Sequence, residues 1–187
     1  LPGMYLPNYR ALITLIDEGE FKELDETMGA WTLKLLDETE EELCASFPHR
    51  EALLREAFTN YREDRYASSI TLLLTQIDGM CHDLFDIVFF KVKQKAPEVR
   101  EKIQQLGLDM FAEILLHPIL IKSGINASDE QIEKGEFSQS PHRHAILHGR
   151  DVGYANELNN LKIISFAGFM GSTVRGITEQ AREVKGT

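Results

Sequence analysis

The strongest constraint on the fold lies between Arg65 and Lys93, where Ile70, Leu73, Leu74, Ile77, Met80, Cys81, Leu84 and Val88 recur at steps of three and four residues. Side chains so spaced share one face of a 3.6-residue helix, whereas a strand would send them to both faces of a sheet. A long helix with so apolar a stripe has to be covered along its length. No run of alternating apolar and polar residues provides a sheet for the purpose, so the covering elements are expected to be helices.

The rest of the chain supplies them. Leu12, Ile13, Leu15 and Ile16 predict a first short helix over 9–16. From about Glu20 to Phe47, Phe21, Leu24, Met28, Trp31, Leu35, Leu36 and Leu43 repeat at helical spacing until Pro48 stops them. The acidic runs Asp17 to Glu26 and Asp37 to Glu42 read as solvated faces of these helices. His49 to Tyr61 is a further helix, either separate from the central one or continuous with it.

Pro97 opens a helical region through Leu106, and Leu108 to Ile121 is apolar enough to be largely buried, with Pro118 as a place to bend or break. Ser123 to Ser138 reads as the longest loop. Ser140 as N-cap and Pro141 as first helical residue then start a short helix, which Gly149 and Gly153 interrupt. A last long helix runs from about Asn156 to Val184, with Ala167, Gly168, Gly171 and Ser172 as a small-residue face suited to close packing.

The expected fold is therefore all-α, an up-and-down helical bundle of about five to seven helices. With 187 residues, 43% apolar and 27% charged, one domain over 1–187 is the natural arrangement. The opening Leu1-Pro2-Gly3-Met4 reads as the start of a trimmed chain or of one piece of a longer protein.

The net charge of −10 argues against a general nucleic-acid coat, which needs a cationic surplus. Its distribution is uneven. Residues 141–187 set Arg143, Arg150, Lys162, Arg175, Arg182 and Lys185 against Asp151, Glu157, Glu179 and Glu183, a balance of +2, so −12 falls on the first 140 residues. A polyanion is expected to approach the C-terminal quarter. Cys44 and Cys81 sit inside apolar helical patterns, where reduced, buried thiols and a cytoplasmic setting are the expectation. No apolar stretch is long enough to span a membrane and no secretory leader opens the chain, so the glycosylation acceptor Asn126-Ala127-Ser128 is read as coincidence.

One segment is poorly explained by packing. In Ser140-Pro141-His142-Arg143-His144-Ala145-Ile146-Leu147-His148-Gly149-Arg150, three of the chain's 6 histidines stand with two arginines. A cation such as Arg143 is disfavoured in a first helical turn unless an anion joins it, and first-turn N–H groups favour a phosphate. His144 and His148 are four apart and share a face, while Ile146 and Leu147 can turn inward. Arginine grips phosphate oxygens and histidine moves protons near neutrality. Together they suit cleavage of an RNA phosphodiester, in which the ribose 2′-hydroxyl is the nucleophile and DNA is no substrate. Ordinary surface residues are the plain alternative. Zinc is a rival, since His144 and His148 have zincin spacing, but Ala145 stands where zincins carry Glu and no third ligand lies close by.

Arg143, four residues and His148 match the R-x4-6-H motif, and in this respect the chain resembles the HEPN family of helical nucleases common in toxin–antitoxin and abortive-infection systems. The likeness extends over about 60–170, through Tyr66, Leu73, Leu74, Gln76, Ile77, Asp78 and Gly79, then His148-Gly149 and the Tyr154, Asn156 and Leu161 run. The resemblance implies a metal-independent endoribonuclease of bacterial defence or a toxin system, without cofactor. Arg143 and His148 would be the catalytic pair, with polar His144 beside them and Asp78 as the supporting carboxylate. Arg150, His142 and Tyr154 would contact RNA. Where some HEPN toxins carry Tyr two residues after the histidine, this chain has Arg150. The family also implies a homodimer with a composite site, at which the glycine-rich last helix could lie, and an antitoxin or regulatory domain as partner. The alternatives are an inactive HEPN-like module that binds RNA, nucleotide or a partner protein, and a purely structural helical domain.

Overall fold

The computed structural model describes residues 9–87, 92–93, 96–97, 99–120, 123–127, 129–134 and 140–186. Helices α1 (Tyr9–Glu18), α2 (Phe21–Lys34), α3 (Leu36–Ser46), α4 (Glu51–Arg62) and α5 (Tyr66–Phe85) come first. A two-residue antiparallel pairing of β1 (Val92–Lys93) with β2 (Ala96–Pro97) separates them from α6 (Val99–Gln105) and α7 (Met110–Leu120). Then follow α8 (Asp129–Glu133), α9 (Arg143–Leu147), α10 (Glu157–Phe169) and α11 (Arg175–Gly186). The protein is an all-α bundle. No described helix is long and apolar enough to cross a membrane.

The central helix is α5, and its stripe is the core: Ile70, Leu73, Leu74, Ile77, Met80 and Cys81 are all 0% exposed. Each large apolar side chain so placed contributes about 1.5–3 kcal/mol by leaving water. Helices α4 and α10 cover it together with the turn after α10, and α3 packs in turn on α4 and α10. One polar link crosses this core, from Asn160 Nδ2 on α10 to Ser69 Oγ on α5 at 3.0 Å. The helix stops at Phe85, short of the expected Lys93, because Asp86 turns left-handed at φ +56 and its N–H closes on His82 O. Val88 of the predicted stripe lies outside the described residues.

Other long segments are also cut. The helix expected over 20–47 divides at Leu35 (φ −99, ψ 10), with neither Gly nor Pro to mark the place. The division goes with a change of partner, since α2 packs on α10 whereas α3 packs on α4 as well. Within the acidic run, Glu40 is not solvated as expected. It is 7% exposed, and Arg62 Nη2 (2.7 Å) and Arg55 Nη1 (3.4 Å) hold its carboxylate between α3 and α4. Between α4 and α5, Asp64 adopts φ +57 and its carboxylate accepts the Tyr66 hydroxyl at 2.6 Å.

Pro97 lies in β2, and the helix after it begins at Val99. Pro118 neither breaks nor ends α7, which runs on to Leu120, whose carbonyl accepts Arg100 Nη2 at 2.6 Å. Nor is α7 largely buried: Leu116 and Ile119 are covered, but Met110, Phe111 and Ile114 are open to solvent. The expected 123–138 loop contains the 3-10 turn Gly124–Asn126 and α8; its residues 128 and 135–138 lie outside the described set.

The last helix starts where its sequence says, Asn156 Oδ1 capping Asn159 N–H at 2.9 Å. A π turn over Met170–Val174 then separates α10 from α11. The small-residue face packs within the chain. A Cβ on Gly171 would meet Leu43 Cδ2 at 2.6 Å, and one on Gly168 would meet Thr39 Cγ2 at 3.0 Å, so both glycines seat α3. Cys44 and Cys81 are free and buried, and burial pushes both thiols up from their ordinary range.

Candidate functional site

The His/Arg segment folds differently from the start signal in its sequence. Helix α9 begins at Arg143, with His142 at the N-cap position (φ −99, ψ 96), so Ser140 and Pro141 lie outside it. His142 does not cap the helix through its side chain; its Nδ1 lies 3.1 Å from Gly124 O and ties the helix start to the preceding 3-10 turn. With five residues, α9 sums too few peptide dipoles to make a strong anion site at its first turn. Any anion here would have to rely on side chains.

The end of α9 is well defined. Gly149 N–H bonds to Ile146 O (3.0 Å) and Arg150 N–H to Ala145 O (2.8 Å), the paired bonds of a Schellman motif. That motif needs a left-handed residue, which Gly149 supplies at φ +69. Ala145 and Ile146 are buried, while His144, His148 and Arg150 are exposed.

Two of the expected pairings are present. Arg143 Nη2 stands 3.5 Å from Asp78 Oδ2 on α5, with the side chains 23% and 24% exposed. The separation is long for a hydrogen bond but within ion-pair range. The rings of His144 and His148 meet edge to face, with centroids 4.4 Å apart. Arg143 and His148 stand five positions apart and so point about 140° from each other around α9, Arg143 toward α5 and His148 into solvent. Among the described residues no three His, Cys, Asp or Glu side chains gather as a metal-binding group.

Tyr154 lies further along α5. Its hydroxyl is 3.3 Å from Thr71 Oγ1 and 3.5 Å from Ala67 O. Thr71 and Asp78 are two helical turns apart, about 10 Å, on the same side of α5. Ala67, Ser68, Thr71, Leu72, Thr75 and Tyr154 line an open groove of about 430 Å³ there. The groove offers hydroxyls, an aromatic ring and short apolar side chains along one helix face.

Sequence reasoning missed a second Arg–Asp pair. Arg50 donates Nε and Nη2 to the two oxygens of Asp83 at 2.7 and 2.9 Å, and Nη1 to Gln76 Oε1 at 3.4 Å. His49 Nε2 is 2.8 Å from the same carboxylate. The Arg50 guanidinium chiefly, with His49, holds Asp83 below the usual carboxylate range. The signal for it was Gly79, a glycine inside an otherwise strong helix. Asp78 and Asp83 point about 140° apart around α5, so the clusters are separate. Arg50, bonded through all three nitrogens, is a clasp between helices, and the Arg143–Asp78 contact at 3.5 Å is an ion pair at a different place on α5.

Comparison of the chain with protein-family models, with curated proteins and with solved structures gave no match.

Proposed function

We propose that the chain is a metal-independent endoribonuclease of HEPN type, serving bacterial defence or a toxin system, with Arg143 and His148 in its site. The observation that carries this reading is the approach of Arg143 to Asp78 at 3.5 Å at the start of α9, with His144 on that helix and His148 at its C-cap both exposed. In the proposed reaction a histidine takes the 2′-hydroxyl proton as O2′ bonds to phosphorus and the P–O5′ bond breaks. The histidine so protonated, directly or through water, returns a proton to the leaving O5′, giving a 2′,3′-cyclic phosphate and a 5′-hydroxyl. Arg143 leaves Asp78 in part to neutralise the charge that grows on the non-bridging oxygens. Asp78 positions the guanidinium, and Arg150 and His142 would steer the RNA. The chain on one side of the cut would run along the Tyr154 groove.

Pairing of two copies would bring two sets of Arg143, His144, His148 and Arg150 into one cleft. This would offset the net charge of −10 that otherwise repels a polyanion. That same charge, and the carboxylate already beside Arg143, favour as a second reading an inactive module that binds RNA, nucleotide or a partner such as an antitoxin. The deciding experiment incubates the protein with a pool of tRNA and single-stranded RNA in EDTA, beside Arg143→Ala and His148→Ala variants of verified folding. Cutting by the parent and not by the variants supports the ribonuclease. No cutting by well-folded protein moves the assignment to the binding module.

A further inference from the structure

An extended apolar feature of the described surface lies on α7 and α11. Between these helices runs a groove of about 620 Å³ whose lining includes Leu108, Ala112, Leu115, Gly176, Ile177 and Ala181. Beside it stand large apolar side chains in water: Met110 is 77% exposed, Phe111 67%, Ile114 62% and Val184 72%. Helix α7 buries Leu116 and Ile119 at 0% exposure on its inner face yet keeps Met110, Phe111 and Ile114 in water, more apolar surface than a solvent-facing helix ordinarily shows. Patches of this kind mark interaction surfaces.

Charge narrows the occupant. Helix α7 contains no Lys or Arg; Asp109, just before it, lines the groove, and Glu113 is exposed on the helix itself. The arginines of α11 are drawn elsewhere: Arg175 to Ser46 Oγ (3.2 Å) and Glu179 (2.9 Å), and Arg182 to the Leu84 carbonyl. Among the residues that line the groove Asp109 alone is charged, and on a chain of net charge −10 this disfavours a second copy with the same charge. We infer that the groove receives a basic amphipathic helix of another protein. Its apolar side chains at i, i+3, i+4 and i+7 enter between α7 and α11, and its Lys or Arg residues face Asp109 and Glu113.

The test is fluorescence anisotropy at physiological salt with a labelled Leu/Lys peptide of about four helical turns, and a Leu/Glu peptide of the same pattern as control. Two variants leave the core untouched. Phe111→Ser removes an exposed apolar side chain, and Gly176→Phe fills the groove from a position where a Cβ meets nothing within 4 Å. The expected result is saturable one-to-one binding of the Leu/Lys peptide, weakened about tenfold or more in both variants with circular dichroism unchanged. The Leu/Glu peptide should not bind. Absence of Leu/Lys binding overturns the inference, as does equal binding to parent and variants or equal binding of the two peptides. A parent dimer in sedimentation that Gly176→Phe dissociates also overturns it, and gives the groove to a second copy.

Discussion

Gly79→Ala tests whether a glycine inside the central helix is there to seat an arginine. Alanine is worth about 1 kcal/mol over glycine in a helix interior, so propensity alone makes the change stabilising. The structure says otherwise. A Cβ on Gly79 would stand 2.5 Å from Arg50 Cζ and 2.7 Å from Nη2, inside van der Waals contact. The guanidinium would have to move, and with it the 2.7 and 2.9 Å bonds to Asp83. Hydrogen bonds to charged groups contribute about 1.5–3 kcal/mol each, but water reaches the released groups, because the side chains are already 18% and 26% exposed. A combined loss of about 2–3 kcal/mol against a gain of about 1 leaves Gly79→Ala destabilising by about 1–2 kcal/mol.

The assay is urea unfolding followed by circular dichroism, in the parent and in an Arg50→Ala background. Without the guanidinium only propensity remains, and Gly79→Ala should then stabilise by about 1 kcal/mol. The sign of the mutation reverses between backgrounds, a coupling of about 2–3 kcal/mol. An equal, stabilising effect in both would refute the account of Gly79.

Three further outcomes follow from the same geometry. Asp83 titrates below the ordinary carboxylate range when folded, so its contribution is present above about pH 4 and fades as pH falls through the lower folded value. The stability difference between parent and Asp83→Asn, measured by urea melts from pH 7 to pH 3, should therefore shrink as acid is added; a difference that grows in acid would contradict this. Gly149→Ala meets no atom within 4 Å yet must hold φ +69, so a loss of about 1 kcal/mol in the same assay is expected, and none at all would refute the Schellman account. Cys44 and Cys81, both buried with raised thiol pKa, should react with a thiol reagent only in denaturant; fast labelling of the native protein would contradict their placement.

The fold was most legible where one physical requirement acted alone. The Ile70 to Leu84 stripe needs only the helical period, and its residues are the core. Asn156 announces the last helix because capping is local. What escaped depends on partners distant in sequence. Nothing near Leu35 says that α2 and α3 will pack on different neighbours, and nothing near Glu40 says that Arg55 and Arg62 will draw it inward.

At the candidate site, the His144–His148 pairing was readable from the four-residue spacing, whereas Asp78 entered only as the supporting carboxylate that the resemblance implies, and the structure sets it 3.5 Å from Arg143. The helix start was not. Ser140 and Pro141 carry the local signal for it, but α9 begins two residues past Pro141, where His142 is tied to Gly124. The Arg50 clasp shows in the sequence only as Gly79, a glycine inside the central helix.

The central claim is the chemistry proposed for Arg143 and His148, and the ends of the RNA report it directly. Mass spectrometry of fragments produced in EDTA should find 2′,3′-cyclic phosphates and 5′-hydroxyls, absent with Arg143→Ala and His148→Ala protein. Fragments ending in 3′-hydroxyl and 5′-phosphate, or the same ends from the variants, would contradict it.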